Sequence, residues 1–306
     1  MALQSTNLAF SDALSSIREA AAYEALWNAS GASVKKIADE IKRHPESPLS
    51  LLIDQKKVDE CLGQIKSLIA PIATKVGICF IGEADYPNKL LDAKHPVPLL
   101  YYMGAWDLIF SPSVAVVGTR NPTQEGIKRT QKLVKELVKE GYTIISGLAK
   151  GIDTVAHETA IACGGKTIAV IGTSINEHYP KENKALQEQI ARQHLLISQV
   201  PFIRYSKQNY QLNRFFFPER NKTMSALSLG TIIVEAGETS GSLIQATAAL
   251  EQDRGLFILD SCFLNGELTW PSKYLAKGAI RVKEYQDISN ELKKRYDNTA
   301  SDFATG

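Results

Sequence analysis

The chain has 306 residues, enough for one large domain and a smaller one, and its residue usage is that of an ordinary globular protein. A net charge of +2, from 35 Lys and Arg against 33 Asp and Glu, is too small to imply a nucleic-acid partner unless the cations cluster. Cys61, Cys79, Cys163 and Cys262 lie far apart without a C-x-x-C pair, which excludes a zinc ribbon or a disulfide framework and predicts reduced, buried thiols.

The histidines show no metal-ligand spacing, so neither a metal nor another cofactor is expected. No apolar run approaches the roughly 20 residues that span a bilayer. Met1-Ala-Leu-Gln-Ser5 lacks a basic segment followed by an apolar one, and a cytoplasmic protein is expected.

Residues from about 11 to 70 are read as three short helices forming a module over 1–75. Leu14, Ile17, Ala21 and Leu26 fall near helical spacing behind Ser11 or Asp12 as N-cap; Ser33 caps Val34 to Arg43; Val58, Leu62, Ile65 and Leu68 share a face of Asp54 to Ile69. Such a module serves either for packing and dimerisation or for contact with nucleic acid or a partner. Between Gly77 and Ile109 short extended pieces alternate with prolines, which predicts a surface connector with edge strands.

From Ser113 to Leu256 a short β-branched run, a turn containing Gly and a helix-length amphipathic segment recur. Val114 to Val117, Thr143 to Ser146, Lys166 to Ile171 and Thr231 to Val234 are apolar without alternation, as strands are when helices cover both faces of a parallel sheet. A doubly wound α/β domain over 76–296 follows, with Leu195 to Val200, Gly255 to Leu259 and Ala279 to Val282 as further strands. The expected helices run from Gln124 to before Gly141, from Ile152, from Tyr179-Pro180 to Arg192, and from Tyr285 to Tyr296, leaving 297–306 as a disordered tail.

Phe202 to Lys222 differs in composition. Arg204, Lys207, Arg214, Arg220 and Lys222 face one acid, Glu219, and are interleaved with Tyr205, Tyr210 and Phe215 to Phe217. Cations that track phosphates beside rings that accept bases suit a single strand; the other reading makes the rings core and leaves the cations merely solvated.

Two turns suit an anion. Gly118-Thr119-Arg120 offers close backbone approach, a hydroxyl and a guanidinium; Ser240-Gly241-Ser242 precedes a helix whose N-terminus attracts negative charge. No G-x-G-x-x-G follows Val117, and Gly164-Gly165-Lys166-Thr167 fails as a phosphate loop because Ala160 stands where a Gly is needed and the order is helix then strand. His157 is expected to be structural. Glu235 is placed either to orient the facing loop or to act as an acid or base on a bound nucleotide.

Val114-Ala-Val-Val-Gly-Thr-Arg120, Ser146-Gly-Leu-Ala-Lys-Gly-Ile-Asp153 with Ala156-His157, Gly165 to Ile171, Tyr179-Pro180, Phe217-Pro-Glu-Arg-Asn221, and Val234-Glu-Ala236 with Ser240-Gly-Ser-Leu243 stand in the order and spacing of the DNA-processing protein A (DprA/Smf) family. Asp85-Tyr-Pro87 and Pro96 to Gly104 are similar to that family's approach to its first strand. The resemblance implies an extended Rossmann-like domain that binds single-stranded DNA, self-associates as a homodimer, and hands the strand to the RecA recombinase in natural transformation, catalysing no reaction. Carried over by position, it implies that Arg120, Lys150, Arg220 and Asn221 line a phosphate pocket with Ser240, Gly241 and Ser242 as its amides. It also favours strand binding by Arg214 and Lys222 in the basic and aromatic stretch.

The chain departs from the family pattern at Glu219, where an Arg is usual, at Gln199, where an acid is usual, and at Leu259-Asp260-Ser261 in place of Val-Pro-Gly. An acid beside Arg220 is expected to weaken the local field. With these departures a housekeeping or defence task is an alternative to transformation, and the competing expectation is a nucleotide-sensing or nucleotide-hydrolysing domain in a defence pathway, with Glu235 acting in the same crevice.

Overall fold

Apolar runs with buried residues at every position can be strands only inside a sheet covered on both faces, and β3 (Ser113–Val117), β4 (Thr143–Ser146), β5 (Thr167–Ile171), β6 (Leu195–Ser198) and β7 (Gly230–Ile233) are buried throughout. The structure is a computed structural model that describes residues 15–45 and 47–304, with side chains to Asp297. The sheet has the order β1-β2-β6-β5-β4-β3-β7-β8-β9, where β1 is Gly77–Phe80, β2 Leu99–Gly104, β8 Gly255–Leu259 and β9 Ile280–Val282. All pairings from β6 to β9 are parallel, and β1 and β2 add an antiparallel edge. The connector therefore contributes edge strands, as its prolines suggest.

Strand order reverses at β3. The chain walks from β3 through β4 and β5 to β6, then returns to place β7 on the other side of β3. The crevice between the carboxyl ends of β3 and its neighbours is where such sheets bind ligands.

Alternation along β3 feeds two core layers. Val114 and Val116 pack with Leu133, Val134 and Leu137 of α5 (Gln124–Lys139) and Ile152, Ala156 and Ala160 of α6 (Ile152–Ala162). Ala115 and Val117 pack with Met224 of α10 (Phe216–Leu227) and Ala246 and Ala249 of α11 (Ser242–Glu251). His157 lies wholly inside, its Nδ1 2.7 Å from Thr167 Oγ1, and burial pulls its pKa down to about 3; it is structural, as expected.

Among its described residues the amino-terminal segment has four helices where three are expected: α1 (Ser16–Asn28), α2 (Val34–Arg43), α3 (Leu49–Leu52) and α4 (Gln55–Ile69). The single-turn α3 escapes periodicity because it is too short to show a period, and it is held by buried Glu19, which accepts from Leu49 N at 2.8 Å. The proposed caps Ser11 and Asp12 lie outside the described residues. These helices share a core with the sheet: Tyr23, Trp27, Val58 and Ile65 join Leu99, Tyr101, Ala169, Phe202 and Phe216.

Other expectations are corrected. The last described helix runs Tyr285–Ala304 and does not give way to a tail at Asp297, because no Gly or Pro interrupts 297–304. The segment after Tyr179-Pro180 opens as one 3-10 turn, Lys181–Asn183, before α7 (Lys184–Gln193). Cys163 is exposed at the end of α6, whereas the other thiols are buried and free as expected. Phe202 to Lys222 folds into α8 (Phe202–Lys207), α9 (Tyr210–Asn213) and the start of α10.

Glu24 is the least expected core residue. Its carboxylate accepts from Phe202 N at 2.6 Å, Ile203 N at 2.9 Å and Tyr101 Oη at 2.8 Å, capping α8 from inside the protein. Desolvation pushes its pKa from the ordinary 4.5 up to about 7, against the lowering effect of those donors and Lys207. The folded chain thus holds this proton to higher pH than the unfolded chain. The resulting stability is complete below about pH 4.5 and is lost as pH rises through about 7. Urea titrations across that window are expected to show Glu24→Gln flattening a slope worth about 3 kcal/mol in the wild type. An unchanged slope in the variant would remove Glu24 as its source.

Candidate functional site

Three strand ends and one helix converge at the reversal point. A crevice of about 540 Å3 is lined by Gly118, Thr119 and Arg120 after β3, Asp153 after β4, Arg214, Phe217, Arg220 and Asn221 around the start of α10, and Ser240, Gly241 and Ser242 after β7.

The turn after β3 is fixed by its neighbours. Thr119 N donates to Glu235 O at 2.7 Å, and Thr119 O accepts from Ile152 N at 3.2 Å, tying this turn to those following β7 and β4. Gly151, at φ 85°, permits the second tie because a Cβ there would strike the backbone of Thr119 and Arg120. Gly118 O lies 3.4 Å from the Ser242 hydroxyl, which also meets Ser240 Oγ at 2.8 Å. Asn221 Nδ2 donates to Gly241 O at 3.1 Å, joining α10 to the N-terminus of α11. Of the two roles open to Glu235, its side chain takes the first: it accepts from Thr123 Oγ1 at 2.8 Å and Thr123 N at 3.2 Å, orienting the cap of α5.

Arg220 sits in the floor. It is 5% exposed, and its Nη1 donates to the carbonyls of Gly147 and Val170, at the ends of β4 and β5. Asp153 beside it accepts from Gly147 N at 3.2 Å and Ala149 N at 3.3 Å. Burial pulls the guanidinium down to about 10 while Asp153 opposes that shift; burial likewise raises Asp153 against the pull of Arg220. The expectation of a phosphate-facing Arg220 is therefore modified. It lines the crevice, but its charge is offset and its Nη1 is taken up by backbone. Sequence gave no sign of this, because the carbonyls it clamps lie on strands far away in the chain.

The accessible cations are Arg120 and Arg214, both exposed. Arg120 also borders an adjoining groove of about 530 Å3 that holds Lys150, Tyr179 and Lys181, so Lys150 flanks the crevice and does not line it. Lys222 faces elsewhere. It is bound to Glu219 at 2.8 Å, and neither residue lines the crevice, so the feared acid beside Arg220 is neutralised outside the site. The basic and aromatic stretch divides between its two readings. Phe202 and Phe216 are core, and Arg204 donates to Trp27 O at 2.6 Å and stacks on the Trp27 ring. Tyr210 and Phe215 are more than half exposed, and Tyr210 and Phe217 border the crevice. Tyr179 is a rim residue that the sequence reading left unassigned. Its hydroxyl is 3.0 Å from that of Tyr210 and its ring packs 5.6 Å from Phe217, a meeting visible only once two distant segments are folded together.

The site can thus offer side-chain cations, a helix N-terminus and ring faces side by side. A metal-binding arrangement is not found here; among the described residues one group of potential ligands, Cys79, Glu83 and Asp85, lies on the connector. No described helix is long and apolar enough to cross a membrane.

Comparison with known proteins agrees with this fold. The DNA recombination-mediator protein A family model matches residues 77–293. DNA processing protein DprA of Streptococcus pneumoniae is 41% identical over 207 residues, covering 68% of this chain and 71% of that protein. The X-ray structure of DNA processing protein A from Streptococcus pneumoniae aligns with a TM-score of 0.66 at 35% identity, over 85% of this chain and 86% of that one. A Helicobacter pylori DNA processing protein A structure, described for its single-stranded DNA binding mode, aligns at 0.61 and 31% identity over 72% of this chain and 97% of that one. With the doubly wound sheet, the motif series and the matched span in agreement, this chain belongs to the DNA recombination-mediator protein A family, the DprA/Smf proteins.

Proposed function

We propose that the crevice binds single-stranded DNA without sequence preference, and that the protein acts as a homodimer which passes the strand to the RecA recombinase in transformation or recombination, as a binding and loading factor and not as a catalyst. One observation carries the reading. Arg120, Arg214 and the Ser240 to Ser242 turn at the start of α11 share one crevice with Tyr210 and Phe217, so phosphates and bases of one strand both find partners. The single-stranded DNA binding mode described for the Helicobacter pylori protein supports it.

The groove holding Lys150 and Lys181 gives the strand a continuation past Arg120. Lys222 has no place in this path. The nucleotide-hydrolysing alternative draws no support from Glu235, whose carboxylate is engaged by Thr123.

Fluorescence anisotropy with a labelled poly-thymidine oligomer tests the proposal. Affinity is expected to fall steeply with salt, and Arg120→Ala to weaken binding about tenfold and lower the slope of log affinity against log salt by about one. Salt-independent binding, or full affinity in Arg120→Ala, would sink the assignment. Arg220→Ala should behave differently. It leaves two buried carbonyls without their donor and the Asp153 carboxylate without its counter-charge, and a loss of about 3 kcal/mol in unfolding free energy is expected. Arg120→Ala should unfold like the wild type, since its side chain is exposed; equal stability of the two variants would contradict the structural role of Arg220.

A further inference from the structure

The wall of the crevice formed by α9 and the start of α10 follows directly from α8, and α8 is held by α1. Tyr23 Oη donates to Gln199 O at 2.6 Å just before α8. The next residue of α1, Glu24, caps Phe202 N and Ile203 N. Trp27, on the same helix, accepts from Arg204 Nη1 at 2.6 Å, lies under its guanidinium at 5.3 Å, and meets the Phe216 ring edge to face at 5.5 Å. Asn213 Nδ2 then closes α9 onto α8 through Tyr205 O at 3.0 Å. Three residues on one face of α1 thus hold α8 and Phe216, and with them the wall that carries Tyr210, Arg214 and Phe217.

We propose that α1 is part of the binding machinery, with Tyr23, Glu24, Trp27 and Arg204 as positioning residues for the crevice wall. This rests on the strand-binding reading above, and it extends the site into residues before 77, which the family match does not cover. A wall that must be in place to bind lowers the apparent affinity in proportion to the fraction of time it is not. Residues of the module that do not touch the wall should leave affinity alone. Arg18, which bonds Asp59 at 2.9 Å and Gln55 within the module, is such a residue.

Hydration of Glu24 accompanies any release of α8 from α1. The groups facing its carboxylate are Tyr101 from β2, Tyr23 from α1, Cys61 from α4 and Lys207 from α8. Burial raises Tyr23, Tyr101 and Cys61, so these stay protonated near neutrality. Desolvation raises Glu24 in the docked wall, so docking takes up a proton and weakens as pH rises through about 7.

The test uses the full chain, labelled poly-thymidine and circular dichroism to establish the folded fraction. Glu24→Ala and Arg204→Met are each expected to weaken binding about fivefold to tenfold while remaining folded, with Arg18→Ala unchanged. Should Glu24→Ala fail to fold, Arg204→Met and the isosteric Glu24→Gln carry the measurement. Between about pH 6 and pH 8 wild-type affinity is expected to fall more than that of Glu24→Gln. A purely structural role would shift unfolding and leave both the affinity of the folded protein and the difference in pH profile untouched, overturning the inference. Absence of binding by the wild type overturns the strand-binding reading along with it; wild-type binding with unaltered variants overturns this inference alone.

Discussion

A single buried guanidinium organises this molecule. Arg220 reaches from α10 to carbonyls at the ends of β4 and β5, with Asp153 beside it as counter-charge. Strand ends carry carbonyls that no further strand pairing satisfies, and an arginine can meet two of them with one nitrogen while holding the strands at fixed separation. Once that clamp is set, α10 lies across the crevice with Phe217 and Asn221 at its edge. The cationic turn after β3 and the helix start after β7 then face it.

The other ties around the crevice are short and mostly backbone, so little needs rearranging when an anion arrives. Thr119 is bonded on both sides, the Ser240 to Ser242 turn is bonded to Gly118 and Asn221, and the cap of α5 is bonded by Glu235. Preorganised donors keep more of their interaction energy for the ligand than mobile ones. The exposed cations, Arg120 and Arg214, are left to supply charge.

The departures from the family pattern are absorbed locally. Glu219 pairs with Lys222 outside the crevice, which leaves the field around Arg120 unopposed by it. Gln199 is buried and accepts from the Thr223 hydroxyl, so an uncharged side chain suits that position. Asp260 starts the short helix α12 (Asp260–Leu264) and meets Arg281 at 2.5 Å, giving the end of β8 a charged partner on β9.

Much of the architecture was legible from residue order. Buried parallel strands announce themselves as unbroken apolar runs, and Gly118, Thr119, Arg120 and Ser240 to Ser242 fall at strand ends that a doubly wound sheet must bring together. Composition could not divide Phe202 to Lys222 into core, tether and rim, because the identity of each ring or cation says nothing about which segment comes to meet it. Only tertiary structure decided that Arg220 clamps carbonyls, that Tyr179 joins Tyr210, and that Glu24 is buried as the cap of a helix far along the chain. Those outcomes depend on contacts between residues distant in sequence, where the cost of burying a charge or a polar group is settled by partners that no local pattern records.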